Sequence, residues 1–150
     1  MAMTMSGEVV LPAAREVVWA KLNDAEVLKA CIPGCEQLNK DDDTHFSALV
    51  KVKLGPVKAS FKGRVELAEL DPPNGYRIAG EGEGGIAGFA KGGARVSLSD
   101  AEAGATLLRY EVEAQVGGKL VQLGSRLIDS VSKKLADEFF ANFARAVSEG

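Results

Sequence analysis

The chain has 150 residues, 46% of them apolar and 26% charged, which suits a single globular domain (residues 1–150) with a sizeable core. A net charge of −3 without any basic block argues against nucleic acid as a partner. No apolar run reaches the roughly 18 residues that a membrane-spanning helix needs.

In chain order, Glu8–Leu11 reads as a first strand, stopped by Pro12. Ala14, Val17, Val18 and Leu22 recur at helical spacing, so Ala13–Leu22 is expected to be a short helix. Asp24 is suited to cap a second short helix through about Cys31, which Ile32-Pro33-Gly34 ends. Period-2 alternation then takes over. Phe46, Ala48, Val50, Val52 and Leu54 share one face of His45–Leu54, and Gly55-Pro56 turns the chain. Val57, Ala59, Phe61, Gly63, Val65 and Leu67 alternate with Lys58, Ser60, Lys62, Arg64 and Glu66, the strongest strand pattern of the chain. After the turn residues Asp71–Gly75, the segments Tyr76–Glu83, Gly88–Leu98 and Thr106–Val116 continue an antiparallel meander.

The last expected element is a helix over Lys119–Val147, about 43 Å long at 1.5 Å per residue. Leu120, Leu123, Gly124, Leu127, Ile128, Val131 and Leu135 form its apolar stripe. The fold class is therefore α+β: a curved antiparallel sheet of about seven strands wrapped around a long C-terminal helix, with two short helices after strand 1.

Most of the 17 glycines lie between Gly75 and Gly124, and several fall on the inward parity of the strands. Small residues at Ala59, Gly63, Gly80, Gly82, Gly92, Ala94 and Ala114, facing a glycine within the helix stripe, predict a hollow between sheet and helix. The bland alternative is that the glycines serve strand bending or close helix approach. The candidate ligand-binding residues are Ala59, Phe61, Gly63, Gly92, Ala94, Tyr110, Val112, Leu120, Gly124, Leu127, Ile128 and Val131. Tyr110 is the inward residue suited to donate a hydrogen bond to a quinone or keto oxygen.

Catalytic apparatus is hard to assemble, and no catalytic residue is assigned. His45, the only histidine, is on the outward parity of its strand and reads as solvated. Glu138 and Asn142, neighbours on the last helix, are expected to reach solvent; their sharper reading is polar contact with a ligand at the hollow's mouth. Cys31 and Cys35, with one histidine, supply too few ligands for a structural zinc site and read as reduced thiols in a loop; no metal or covalent cofactor is expected. Gly80-Glu-Gly-Glu-Gly-Gly85 satisfies GxGxxG, but no helix follows and Glu81 and Glu83 would repel a pyrophosphate. It reads instead as a strand connection at the rim of the hollow. Lys51, Lys53 and Lys62 belong to a basic outer face, either plainly solvated or a docking surface for an acidic partner or lipid headgroups. Met1–Ser6 lacks the charged and apolar regions of a signal peptide, so a cytoplasmic location is expected.

Several segments carry a resemblance. Val18–Asp24, Cys31–Glu36, Leu54–Gly63, Gly88–Gly92 and Gly117–Arg126 together resemble the CoxG family, the G-subunits of carbon monoxide dehydrogenase, in order and across nearly the whole chain. That family belongs to the helix-grip superfamily of START and Bet v 1-like domains (SRPBCC), which also holds polyketide cyclases. The resemblance implies a non-catalytic accessory subunit for a molybdenum-dependent CO dehydrogenase or related hydroxylase. Such a subunit would carry a quinone or lipid in its apolar cavity and recruit the enzyme to the inner face of the cytoplasmic membrane. A cyclase- or dehydratase-like enzyme using the same cavity, and a pure docking adaptor, are the alternatives. Some members carry a C-terminal extension proposed as a membrane tether. This sequence stops at Gly150, just past the long helix, so it either lacks that tether or is truncated before it.

Overall fold

The computed structural model describes residues 1–149. Seven strands form one antiparallel sheet: β1 (Ala2–Leu11), β2 (Cys35–Lys40), β3 (His45–Leu54), β4 (Val57–Asp71), β5 (Gly75–Glu83), β6 (Phe89–Asp100) and β7 (Thr106–Gly117). Their spatial order is β1-β7-β6-β5-β4-β3-β2, so sequential hairpins build most of the sheet and β1 returns to pair with β7. Two short helices, α1 (Arg15–Leu22) and α2 (Ala25–Cys31), follow β1, and a long helix, α3 (Ser125–Ser148), closes the chain. The expected α+β helix-grip architecture is the observed one.

Boundaries differ from the sequence expectation at several elements, among them β1, α1 and the long helix. β1 begins at Ala2, six residues before Glu8, and pairs with β7 from Ala2↔Gln115 to Leu11↔Thr106. Met3, Met5, Gly7, Val9 and Leu11 supply its inward alternation. α1 begins at Arg15, because the chain is still extended at Ala14. A further difference is the start of the long helix. Gly118–Leu123 forms a 3₁₀ segment, and α3 starts only at Ser125, with Gly124 between them at φ +84° and ψ 153°. Gly124 is therefore the residue that joins two helical segments, not a notch in the middle of the apolar stripe. The spacing Leu120, Leu123 fits a 3₁₀ turn as well as an α-helix, so periodicity could not separate them.

At the far end of the sheet, Asp24 caps α2 as expected, its Oδ1 accepting from the backbone N–H groups of Glu26 at 3.0 Å and Val27 at 3.4 Å. Thr106, fully buried, donates through Oγ1 to the Ala13 carbonyl at 2.6 Å and ties β7 to the entry of α1. Cys31 and Cys35 are free; they end α2 and begin β2, flanking the loop and not lying within it. Burial raises the pKa of both thiols.

The core comes in two pieces. The larger packs Leu11, Val18, Leu22, Phe46, Tyr76, Val96, Leu108, Phe143 and Val147 between the sheet, α1, α2 and the end of α3. The smaller packs Leu54, Val116, Leu120 and Ile128 where α3 begins. Among the described residues, Ala48, Val50, Ala59, Ala94 and Ala114 on the sheet and Leu135 on α3 join neither, and Gly63, Gly80, Gly82 and Gly92 carry no side chain to pack. The inward face is filled at both ends and thinly filled between them.

Candidate functional site: an apolar trough between two cores

That gap is a trough of about 310 Å³ on the concave face, at the small end of ligand-pocket sizes. Its inward walls are Val65 of β4, Ile78 and Gly82 of β5, Ala90 and Ala94 of β6 and Val112 of β7. Glu81, Lys91 and Glu113 border the same backbone, but strand alternation sends these exposed side chains to the outer face.

The glycines of this wall divide into two kinds. A Cβ on Gly92 would lie 2.0 Å from the Glu113 carbonyl oxygen, so close strand approach requires glycine there. On Gly82 a Cβ would meet nothing nearer than the Lys62 carbonyl at 4.0 Å, and on Gly63 nothing nearer than the Glu81 carbonyl at 3.8 Å. Neither has positive φ. Backbone geometry thus explains Gly92 but leaves Gly63 and Gly82, which face each other across β4 and β5, without a structural need. Their smallness makes space.

The structure distributes the sequence candidates unevenly. Gly92, Ala94 and Val112 line the trough, and Ala59 and Gly63 share its face. Phe61, Leu120, Ile128 and Val131 belong to the small packed core at one end, while Leu127 packs near Gly55. Gly124 lies outside the trough at the start of α3, where a Cβ would find open space. Tyr110 is inward and buried, but its ring stacks on Phe140 at 5.1 Å, and a Cβ on Gly7 would lie 2.6 Å from its hydroxyl. It lines a separate cleft between β1 and α3, beside Lys133 and Asp137. Asn142 is not solvated as expected: its amide donates to the Cys31 carbonyl at 3.0 Å, which fastens α3 to α2. Glu138 is exposed. The sequence reading missed Val65, Ile78 and Ala90, whose inward parity was the available signal.

His45 is exposed, as expected, but has a partner: Nδ1 lies 2.8 Å from Asp42 Oδ1, and Glu66 is 3.8 Å from Nε2. The Asp42 hydrogen bond raises the imidazole's pKa. It stands on the outer face, away from the trough.

The outer face holds a larger groove, about 780 Å³, bordered by Lys62, Arg64, Glu81 and Glu83. Lys62 faces Glu83 and Arg64 faces Glu81 in strand register, so its charges offset one another. Lys51 Nζ is 3.6 Å from Glu36, and Lys53 stands opposite Lys58. The basic docking face is therefore partly neutralised at Lys51 and Lys62.

A curved antiparallel sheet gripping a long helix is the helix-grip fold, here with an apolar hollow lined by the sheet alone. Solved structures agree on the fold. A conserved protein from Geobacillus kaustophilus superposes with a TM-score of 0.91 at 29% identity, covering 98% of this chain and 96% of that one. A START superfamily protein from Mycobacterium smegmatis gives 0.71 at 14% identity, over 97% of each chain. The ZhuI aromatase/cyclase from Streptomyces sp. R1128 gives 0.72 at 12% identity, over 99% and 94%. Comparison with curated protein sequences found no match. The sequence matches the CoxG family, the G-subunits of carbon monoxide dehydrogenase, over residues 7–148, and the chain belongs to that family.

Proposed function

We propose that the protein is a carrier for a hydrophobic molecule, a quinone or a lipid with a comparable ring, acting as accessory subunit to a molybdenum-dependent CO dehydrogenase or a related hydroxylase. The observation that carries this reading is the interrupted core, with Gly63 and Gly82 keeping space open where a side chain would fit. The family is that of a CO dehydrogenase subunit, which supports the choice of partner. Burial of an apolar ring in the trough would drive binding at roughly 25 cal/mol per Å², before association costs are subtracted. The carrier works at the inner face of the cytoplasmic membrane, where quinone and dehydrogenase meet. No helix among the described residues is long and apolar enough to cross a membrane.

A cyclase-like enzyme is the second reading, and similarity of fold to an aromatase/cyclase favours it. Such an enzyme needs a proton-exchanging group at the reacting atom. The inward walls of the trough supply Val, Ile, Ala and Gly, which supports the carrier instead. Native mass spectrometry of the purified protein, with organic extraction for a copurified quinone or lipid, tests the proposal. Protein that is empty and also fails to take up added decylubiquinone would sink it.

A further inference from the structure

The sheet has two edge strands, β1 and β2, and only one of them is protected. β2 has six residues, its register slips between Cys35 and Gln37, and α2 packs beside it. Lys40 stands at its end and donates to the Asn23 carbonyl at 3.3 Å. Shortness, a bulge, a lysine and a covering helix are the usual devices that stop an edge from pairing with another chain. The β1 edge lacks the first three. It runs for ten residues, pairs with β7 without a register shift, and contains neither proline nor lysine.

Backbone alternation shows which groups of β1 are unpaired. Met1 and Val116 exchange both hydrogen bonds, at 2.9 and 2.7 Å. Met3, Met5, Gly7, Val9 and Leu11 bond to β7 in the same way, so the N–H and C=O groups of Ala2, Thr4, Ser6, Glu8 and Val10 point away from it. Among the described residues no strand meets them from the other side. Glu8 is the one charged side chain of this set and is bound to Arg109 at 3.0 Å, while Val10 is 59% exposed. α3 passes near the edge without closing on it. Between them lies the cleft of about 330 Å³ bordered by Gly7, Tyr110, Phe140, Ala141 and Ala144. Its notch is Gly7, over which the Tyr110 hydroxyl lies.

We propose that the protein forms a two-fold dimer in which β1 pairs antiparallel with β1 of a second copy, joining the two sheets into one. Centring the pair on Ser6 sets Ala2 opposite Val10, Thr4 opposite Glu8 and Ser6 opposite itself. This register engages every free backbone group of the edge, in about ten hydrogen bonds. A slip of one residue would set inward side chains opposite outward ones, and centring on Glu8 would bring two carboxylates face to face. In the Ser6 register no like charges meet, Ala2 covers the exposed Val10, and Met5 of the second copy stands opposite Gly7. That methionine reaches the notch beside Tyr110 and Phe140, where sulfur–aromatic contact is favourable, and symmetry makes the contact twice. Lys133 and Asp137 across the cleft are paired with each other at 2.7 Å and bring no unmatched charge to it. The pairing lies at the rim of the sheet and holds whether the trough is full or empty.

Sedimentation velocity over a concentration series, with amide hydrogen exchange followed by NMR, tests it. The unaltered protein is expected to pass from monomer to dimer as concentration rises, and the amides of Thr4, Ser6, Glu8 and Val10 to exchange more slowly in the dimer. Ser6→Pro should weaken dimerisation about tenfold or more, because it removes the N–H on both sides of the axis. Its melting temperature in dilute solution should hold, since that N–H has no partner within the monomer. Ser6→Lys and Ser6→Asp each set like charges opposite one another, so an equal mixture of the two should dimerise more tightly than either alone. A chain still monomeric at about 1 mM overturns the proposal, as does a mixture no tighter than its components or a dimer that Ser6→Pro leaves intact. A monomer whose edge amides slow only when another protein is added would assign the edge to a foreign strand, and overturns it too.

Discussion

Gly82→Leu separates a hollow kept open for a ligand from a hollow left by strand geometry. The new Cβ would meet nothing within 4.0 Å but the edge of the Lys62 carbonyl, and its cross-strand neighbour is Gly63. Four added carbons, each about the size of a water molecule's ~30 Å³ share, would take about 120 Å³ of the 310 Å³ trough. Displacing four methylene-sized groups of a bound ring at about 0.8 kcal/mol each removes about 3 kcal/mol, a loss of affinity of about a hundredfold. Folding should move the other way. Replacing a strand glycine relieves about 0.5–1 kcal/mol of backbone entropy, and the leucine also buries apolar surface.

Isothermal titration with decylubiquinone, paired with thermal denaturation, reads both quantities. The expected result is a melting temperature raised by about 2–4 °C together with near-complete loss of uptake. Unchanged affinity in a folded variant would refute the location of the site. A lowered melting temperature would show that Gly82, like Gly92, answers to backbone packing.

Gly92→Ala should cost about 1–3 kcal/mol and lower the melting temperature by several degrees, because its Cβ collides with the Glu113 carbonyl; an unaltered melt would remove the distinction between the two glycines. Gly124→Ala should destabilise by a similar about 1–3 kcal/mol through backbone strain alone, since φ +84° with ψ 153° is a glycine region, and quinone affinity should hold; a selective loss of uptake would return Gly124 to the site. Thr106→Val leaves the Ala13 carbonyl without its 2.6 Å donor and should cost about 1–3 kcal/mol in chemical denaturation, an equally stable variant arguing against that tie. His45 has a raised folded pKa, so the stability its Asp42 bond contributes is fully present below the ordinary 6.5 and lost as pH rises through the raised value. The melting-temperature difference between the original and His45→Gln should therefore shrink across that window, and a difference that grows with pH would contradict the pairing.

The strands are legible because alternation in β3, β4, β6 and β7 is long and regular, and Gly92, Ala94 and Val112, inward by that parity, line the trough. What parity does not carry is the third dimension. Tyr110 points inward, yet Gly7 stands opposite it in register and lets the aromatic ring lie across the edge strand. That partner becomes visible only once β1 is extended back past Glu8 to Gly7, a residue type that strands disfavour. Asn142 likewise reads as solvated because its acceptor, the Cys31 carbonyl, is 111 positions away in sequence. The misplaced helix start has a different cause: a 3₁₀ turn and an α-helix share the i, i+3 spacing, and only the positive φ at Gly124 marks the junction.

With Gly124 moved out of the grip, the case for a ligand site rests on the sheet. A core interrupted in its middle forgoes packing that closely fitted interiors make, and each unfilled methyl costs about 1 kcal/mol. Close strand contact compels the gap at Gly92, where the Glu113 carbonyl oxygen would lie 2.0 Å from a Cβ. It does not compel the gap at Gly63 and Gly82. Two facing positions that accept a side chain and carry none are hard to explain by folding, and easy to explain by an occupant that binds there. The walls around them offer that occupant apolar contact, which supports the proposed carrier role.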